Sequence, residues 1–310
     1  MRPVSEALIT ALLVGAIAAA VPLMLAGLGE LISERAGVLN VGLEGMMLMG
    51  AYGGFVVALA TGSTWMGFIG GAVAGGLVSL VMVVLCVRWG LDQIVVGIGI
   101  LLGVEGLTSL LHAAQFANTY PRLGKAAAPS IPWLSDIPVV GRVVFGEPYM
   151  VYVTLIAVFV AGWVLRKTPW GLAIRATGES PEAVDAAGVN VVLVRSLATL
   201  SAGVLAGLGG AYLSLVSSGN FIPLMTGGRG FMALVLAMLA RGRPIWLALG
   251  ALLFGFATAL TTALQIFGID IRPEIVNSLP FVVVLVVLTL FGRDDYLPSS
   301  LALPYVRGER

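Results

Sequence analysis

Four polar side chains, Asn40, Glu44, Glu105 and Asn277, stand in or beside apolar runs of this chain, and chemistry would have to occur there. A carboxylate or amide in lipid is costly, so it marks either a hydrogen-bonded packing site or the lining of a polar path. Glu105 is the deepest, near the middle of its run, and both roles stay open for it. Glu44, one turn beyond Asn40, reads better as a brace for the polar break before it than as a group touching a substrate. Asn277 and Gln265 either line a path or bond across helices. His112, the only histidine, has no Cys, Asp or Glu at ligand spacing, so it reads as structural and no metal site is assigned. The one cysteine, Cys86, permits no disulfide within the chain. No nucleophile elbow, zinc motif or dinucleotide fingerprint occurs, so no catalytic residue is assigned. Neither lysine, Lys125 nor Lys167, stands in a Walker A loop, so any ATP would have to be hydrolysed by another chain.

A second constellation concerns coupling rather than chemistry. The polar insertion from Arg166 to Gly188 carries a helix signal: Ser180 suits an N-cap, Pro181 the first helical position, Glu182 the positive end of the dipole, and Gly188 a left-handed stop. The spacing predicts about two turns of helix, with Ala183, Val184 and Ala187 on one face and Glu182 and Asp185 away from it. Two turns do not hold themselves together in water, so this helix must dock. A small-residue face between membrane spans is what a partner's groove would grip.

The elements that must position these residues follow from composition. With 59% apolar and 11% charged residues, the chain reads as an all-α integral membrane protein forming one domain over residues 1–310. A net charge of +1 offers nothing to nucleic acid. Runs of about 20 apolar residues without alternation demand helices rather than barrel strands. Nine spans are expected: Ala7–Gly29, Val41–Ala60, Trp65–Val87, Asp92–Gln115, Tyr149–Leu165, Val194–Val216, a short Phe231–Ala240, Pro244–Ile266 and Glu274–Phe291. Polar breaks are expected at Glu30–Asn40, which dips toward the membrane, and at the Gly/Pro-rich Ser217–Gly230. Phe116–Pro148, with five prolines, reads as a loop with room for a short surface helix. The short seventh span suggests broken helices lining a path.

Basic residues orient the bundle. With Arg166, Lys167, Arg175 and Arg195 in the cytoplasm, eleven of the seventeen basic residues fall inside, which puts the N-terminus outside and the C-terminus inside. Glycines four apart, at 50/54, 71/75, 99/103 and 203/207, permit close helix approach, read here as packing within one bundle.

The runs Ser33-Glu34-Arg35-Ala36-Gly37-Val38-Leu39-Asn40-Val41-Gly42-Leu43-Glu44-Gly45-Met46-Met47-Leu48 and Gly171-Leu172-Ala173-Ile174-Arg175-Ala176-Thr177-Gly178-Glu179-Ser180-Pro181-Glu182-Ala183, with Ala187-Gly188-Val189, resemble the permease subunits of binding-protein-dependent ABC importers. Within these the chain is similar to the simple-sugar and nucleoside branch, and to its shorter nucleoside-type permease. The resemblance implies the type II importer permease fold, usually of ten spans, in a bacterial or archaeal cell membrane. It also implies partners: a second, different permease chain, an ATPase with two nucleotide-binding domains that holds ATP and Mg, and an extracytoplasmic binding protein that delivers a small molecule. This chain itself would bind no cofactor. Residues Gly178, Glu179, Ser180, Pro181, Glu182, Ala183, Val184, Ala187 and Gly188, within a cytoplasmic loop 166–193, match the coupling helix that receives ATPase closure.

Overall fold

A computed structural model describes residues 2–117, 119, 121–124, 140–266, 282, 286, 289 and 297–305. All regular structure among them is helical: α1 Arg2–Arg35, α2 Leu43–Thr61, α3 Thr64–Met82, α4 Gln93–Phe116, α5 Val140–Phe145, α6 Tyr149–Lys167, α7 Pro169–Glu179, α8 Pro181–Ala186, α9 Val191–Tyr212, α10 Arg229–Leu239 and α11 Pro244–Ile266. Both α3 and α9 finish in a π-helical turn, at Val83–Arg88 and Leu213–Ser217. Seven of the described helices are long and apolar enough to cross a membrane, and α10, at 11 residues, is not. The expected ninth span at 274–291, with Asn277, lies outside the described residues apart from single positions.

Two boundaries differ from expectation for physical reasons. The break expected from Glu30 begins only after Arg35, because Glu30 and Glu34 face the protein interior rather than lipid. Upstream of the Ser180 helix, Thr168 and Pro169 start a further helix, α7: the Thr168 hydroxyl accepts from the Gly171 N–H at 3.1 Å and Pro169 takes the first turn.

The centre of the bundle is a glycine-lined contact among α2, α3 and α9. A Cβ at Gly50 would meet the Gly207 backbone, one at Gly75 the Gly203 carbonyl, and one at Gly210 the Met47 carbonyl. Backbones therefore touch directly, which gives dispersion contact that lipid cannot match. The pair Gly99/Gly103 behaves differently: both are exposed on α4 with open space beside them. α1 packs along α9 and α11, and its Gly29 abuts Ala202 of α9. Around this centre α4 and α6 show many exposed apolar side chains, as lipid-facing helices do.

Two outcomes follow from this packing. Gly207→Ala should destabilise the fold by about 1–3 kcal/mol through overpacking, whereas Gly103→Ala should stay within about 0.5 kcal/mol; equilibrium unfolding of the two variants in detergent measures both, and equal effects would overturn the packing assignment. Glu147, just before α6, is buried, and burial pushes its carboxyl from 4.5 up to about 7. The folded chain thus keeps a proton there that the unfolded chain releases, so stability declines as pH rises from about 4.5 to about 7 and is level above. Glu147→Gln should remove that slope and raise the apparent Tm at pH 8; an unchanged thermal profile across this pH window would contradict the assignment.

Candidate functional site

Lipid requires every buried backbone N–H to find a partner inside the protein, and at two helix breaks among the described residues side chains meet this requirement. After α9 the chain does not cross as a helix. Gly227 and Gly228 adopt left-handed φ values of 54° and 84°, and the chain then turns into α10. The start of α10 lies against the first turn of α2, where the Glu44 carboxylate accepts from the Gly228 N–H at 2.8 Å and from the Gly230 N–H. A carboxylate on the N-terminus of a half-helix satisfies orphan donors and the dipole together. Arg229 opens α10, and its guanidinium donates to the Met225 and Thr226 carbonyls at 3.1 Å, close to Glu44.

The turn between α1 and α2 is braced in the same manner. Asn40 is fully buried: its N–H donates to Glu30 Oε1 at 3.0 Å and its amide reaches Met46 sulfur at 3.2 Å, while Asn40 Oδ1 has no hydrogen-bond partner among the described residues. The Leu39 N–H donates to Gln93 Oε1 at 2.8 Å, and Ser33 Oγ donates to the Val38 carbonyl at 3.0 Å. Asn40 and Glu44 thus stand at one polar junction of α1, α2 and α10. Glu105 does not join it and sits half-buried on α4.

Two turns along α2 from Glu44, about 12 Å, an aromatic cluster closes the same seam. Tyr52 meets Phe221 edge-on with centroids 5.2 Å apart, and His112 lies 5.5 Å from Phe221 and 5.6 Å from Phe116. The Tyr52 hydroxyl donates to Gln115 Oε1 at 3.0 Å. His112, read from sequence as an interfacial structural residue, is part of this wall. Tyr52 and Phe221 are far apart in sequence and meet only through the fold, and nothing in their local spacing signals the cluster.

At the other end of the bundle, α7 and α8 form the insertion between α6 and α9. Ser180 takes the N-cap position of α8, but its side chain makes no cap hydrogen bond. Gly188 has φ of 83° and closes the helix, with the Val189 N–H on the Val184 carbonyl at 3.1 Å. The expected face splits. Pro181 and Val184, three residues apart, pack inward, while Ala183 and Ala187 are exposed together with Glu182. Gly178 is buried against the Arg35 carbonyl and Pro298, and Glu179 accepts at its carbonyl from Ser299 Oγ at 2.7 Å.

Sequence reasoning missed the strut beneath this insertion. Arg195, counted there only as a cytoplasmic charge, is 3% exposed. Its guanidinium donates to the Ala36 carbonyl at 3.2 Å, the Leu303 carbonyl at 2.8 Å and Ser300 Oγ at 3.1 Å. The Ser300 N–H in turn donates to the Gly178 carbonyl at 3.0 Å, and the Ala302 N–H to the Gly37 carbonyl at 3.2 Å. One buried guanidinium thus ties the end of α1, the start of α9 and the 298–303 turn to α7.

The family model described as branched-chain amino acid transport system / permease component matches residues 12–288. The chain is 40% identical over 264 residues to the putative glucose ABC transporter permease protein TsgC13 of Haloferax volcanii, covering 85% of this chain and 80% of that one. It is 33% identical over 306 residues to the guanosine ABC transporter permease protein NupQ of Bacillus subtilis, covering 94% and 95%. It is also 33% identical over 298 residues to the nucleoside ABC transporter permease protein NupC of Lactococcus lactis, covering 93% and 94%. No solved structure matches the chain.

The Glu44 cap yields a direct test. Glu44→Ala leaves two buried N–H groups unpaired and should cost about 1–3 kcal/mol for each one that water cannot reach, with faster hydrogen exchange across 226–234. Glu44→Gln retains an acceptor and should lose less; equal exchange in both variants and the parent would overturn the cap.

Proposed function

The chain belongs to the family of branched-chain amino acid transport system permease components, and from that premise we propose that it forms one half of the nucleoside path of an ATP-driven importer. It is a multi-pass membrane protein and a transport component of an ABC system, and ATPase activity in such systems lies in a partner chain. The observation that carries the proposal is the exposed short helix α8, held between two membrane spans on a braced base. Residues Gly178, Glu179, Ser180, Pro181, Glu182, Ala183, Val184, Ala187 and Gly188 couple the membrane helices to the ATPase, with loop 166–193 and the C-terminus in the cytoplasm and the N-terminus outside. The partners are a second, different permease, an ATPase with two nucleotide-binding domains carrying ATP and Mg, and an extracytoplasmic binding protein. The whole chain serves as one permease domain.

A nucleoside has a polar sugar and a flat base, so its path needs hydrogen-bonding groups and an aromatic wall. The junction at Asn40 and Glu44 and the wall of Tyr52, His112, Phe116 and Phe221 share one seam of α2, which supports this reading. Glu105 and Asn277 are further polar candidates for the path. The guanosine and nucleoside permeases match over nearly their whole length. The 40% identity to a putative glucose permease favours a second reading, a simple sugar moved by the same machine. Uptake of labelled guanosine and of labelled glucose by the assembled complex, measured side by side, separates them: the proposal expects guanosine uptake that other nucleosides compete and no glucose uptake, and glucose uptake without guanosine uptake would establish the second reading.

Coupling has its own test. Replacing the exposed Glu182 and Ala183 by tryptophan should leave membrane insertion intact, yet lower uptake by the assembled complex on the order of tenfold while ATP hydrolysis continues. Unchanged uptake would remove α8 from the coupling path.

A further inference from the structure

The ends of α1 and α6, the middle of α7 and the turn into α11 surround a cavity of about 450 Å³ whose lining includes Arg35, Arg166, Arg175 and Arg243, with no carboxylate among its described lining residues. Arg35 is fixed in place: its guanidinium donates to the Arg241 carbonyl at 3.0 Å and lies on Gly242, where a Cβ would collide with it. Gly242 has φ of 67°, so the turn both needs glycine and leaves room for the guanidinium. Arg166, Arg175 and Arg243 are exposed around it. Arg35 also feels the neighbouring Glu34 carboxyl, so the three exposed guanidiniums carry the charge of the bowl, and an anion seated among them converts their mutual repulsion into attraction.

The surroundings say which anion. Leu165 of the bowl also walls a second cleft of about 140 Å³, lined by apolar groups that include Ile32, Ala161, Val164 and Ile174. Trp170 lines that cleft and is exposed, and exposed Trp163 and Trp246 stand three residues from Arg166 and Arg243. Tryptophans near helix ends mark the level of lipid headgroups. A soluble anion has no use for an adjoining apolar cleft, whereas a phospholipid presents a phosphate and an acyl chain side by side. We propose that the bowl and cleft together bind an anionic phospholipid, with its phosphate among the arginines and a chain along the cleft. Because α7 contributes to both, bound lipid would steady the base of the insertion that carries α8. The site depends on neither the transported substrate nor the coupling role.

The test uses the full chain purified in a neutral detergent and offered equal phosphatidylglycerol and phosphatidylcholine, with retained lipid read by native mass spectrometry. Phosphatidylglycerol should be retained selectively, and R166Q, R175Q and R243Q should each lower that selectivity about fivefold, with R166K/R175K/R243K keeping it. Equal retention of the two lipids, or selectivity unchanged in the glutamine variants, overturns the proposal. Thermal stabilisation by inorganic phosphate equal to that by phosphatidylglycerol would assign the bowl to a soluble anion instead, and loss of lipid on adding a co-expressed ATPase subunit would assign it to that partner. Should a glutamine variant fail to fold, the lipid preference of the parent chain and of the lysine variant decides.

Discussion

The Glu44 carboxylate on the N-terminus of α10 is the interaction that permits the rest of the architecture. A helix of 11 residues spans about 16 Å, roughly half of a bilayer's hydrocarbon core. It must therefore begin inside the protein, where its first N–H groups find no water. Glu44 meets two of them from the first turn of α2, and the descending segment before α10 can then remain irregular without being expelled from the bundle. The same solution recurs at the α1–α2 turn, where Glu30, Gln93 and Ser33 serve the backbone of residues 38–40. Irregular backbone at membrane depth and buried polar side chains are thus two aspects of one constraint.

Rigidity comes from a different source. In α2, α3 and α9, glycines bring backbone against backbone, and Gly207 takes part in contacts with both Gly50 and Gly75. Apolar side chains alone would give little preference for protein over lipid, so close approach and dispersion set this association. The contact leaves α2 with one face locked to its neighbours and another bearing Glu44 and Tyr52 toward α10 and the 218–228 segment.

The insertion end shows how a short helix is held in place by its neighbours. Six residues of α8 cannot be stable alone, yet Pro181 and Val184 anchor it and α7 holds its base. Beneath both, Arg195 joins the end of α1, the start of α9 and the 298–303 turn through four hydrogen bonds. Displacement of α7 and α8 would therefore be felt by α9 and by α1, which also bears Glu30 of the polar junction at Asn40. The arginine bowl borders the same elements, so lipid and partner would act on one base.

The sequence by itself determined the class of molecule and most of its elements. Apolar runs of span length permit only helices in lipid, and Ser-Pro with a following Gly signals α8 through purely local chemistry, as Thr168-Pro169 equally signals α7. Glycine spacing marked the close contacts at 50, 75, 203 and 207 but not which pairs are used, since 99 and 103 have the same spacing and open space beside them. Glu44 was legible as a brace because a carboxylate beside a polar break has few other uses. What only the tertiary structure decided is what long-range contact creates: that Glu44 caps a helix 184 residues away, that Arg195 is a buried strut, that Tyr52, His112 and Phe221 meet, and that arginines from three helices and from the turn before α11 share one bowl. A residue's type and its neighbours in sequence fix local conformation, but its partner across the bundle is set by how helices pack, and no local pattern encodes that distance.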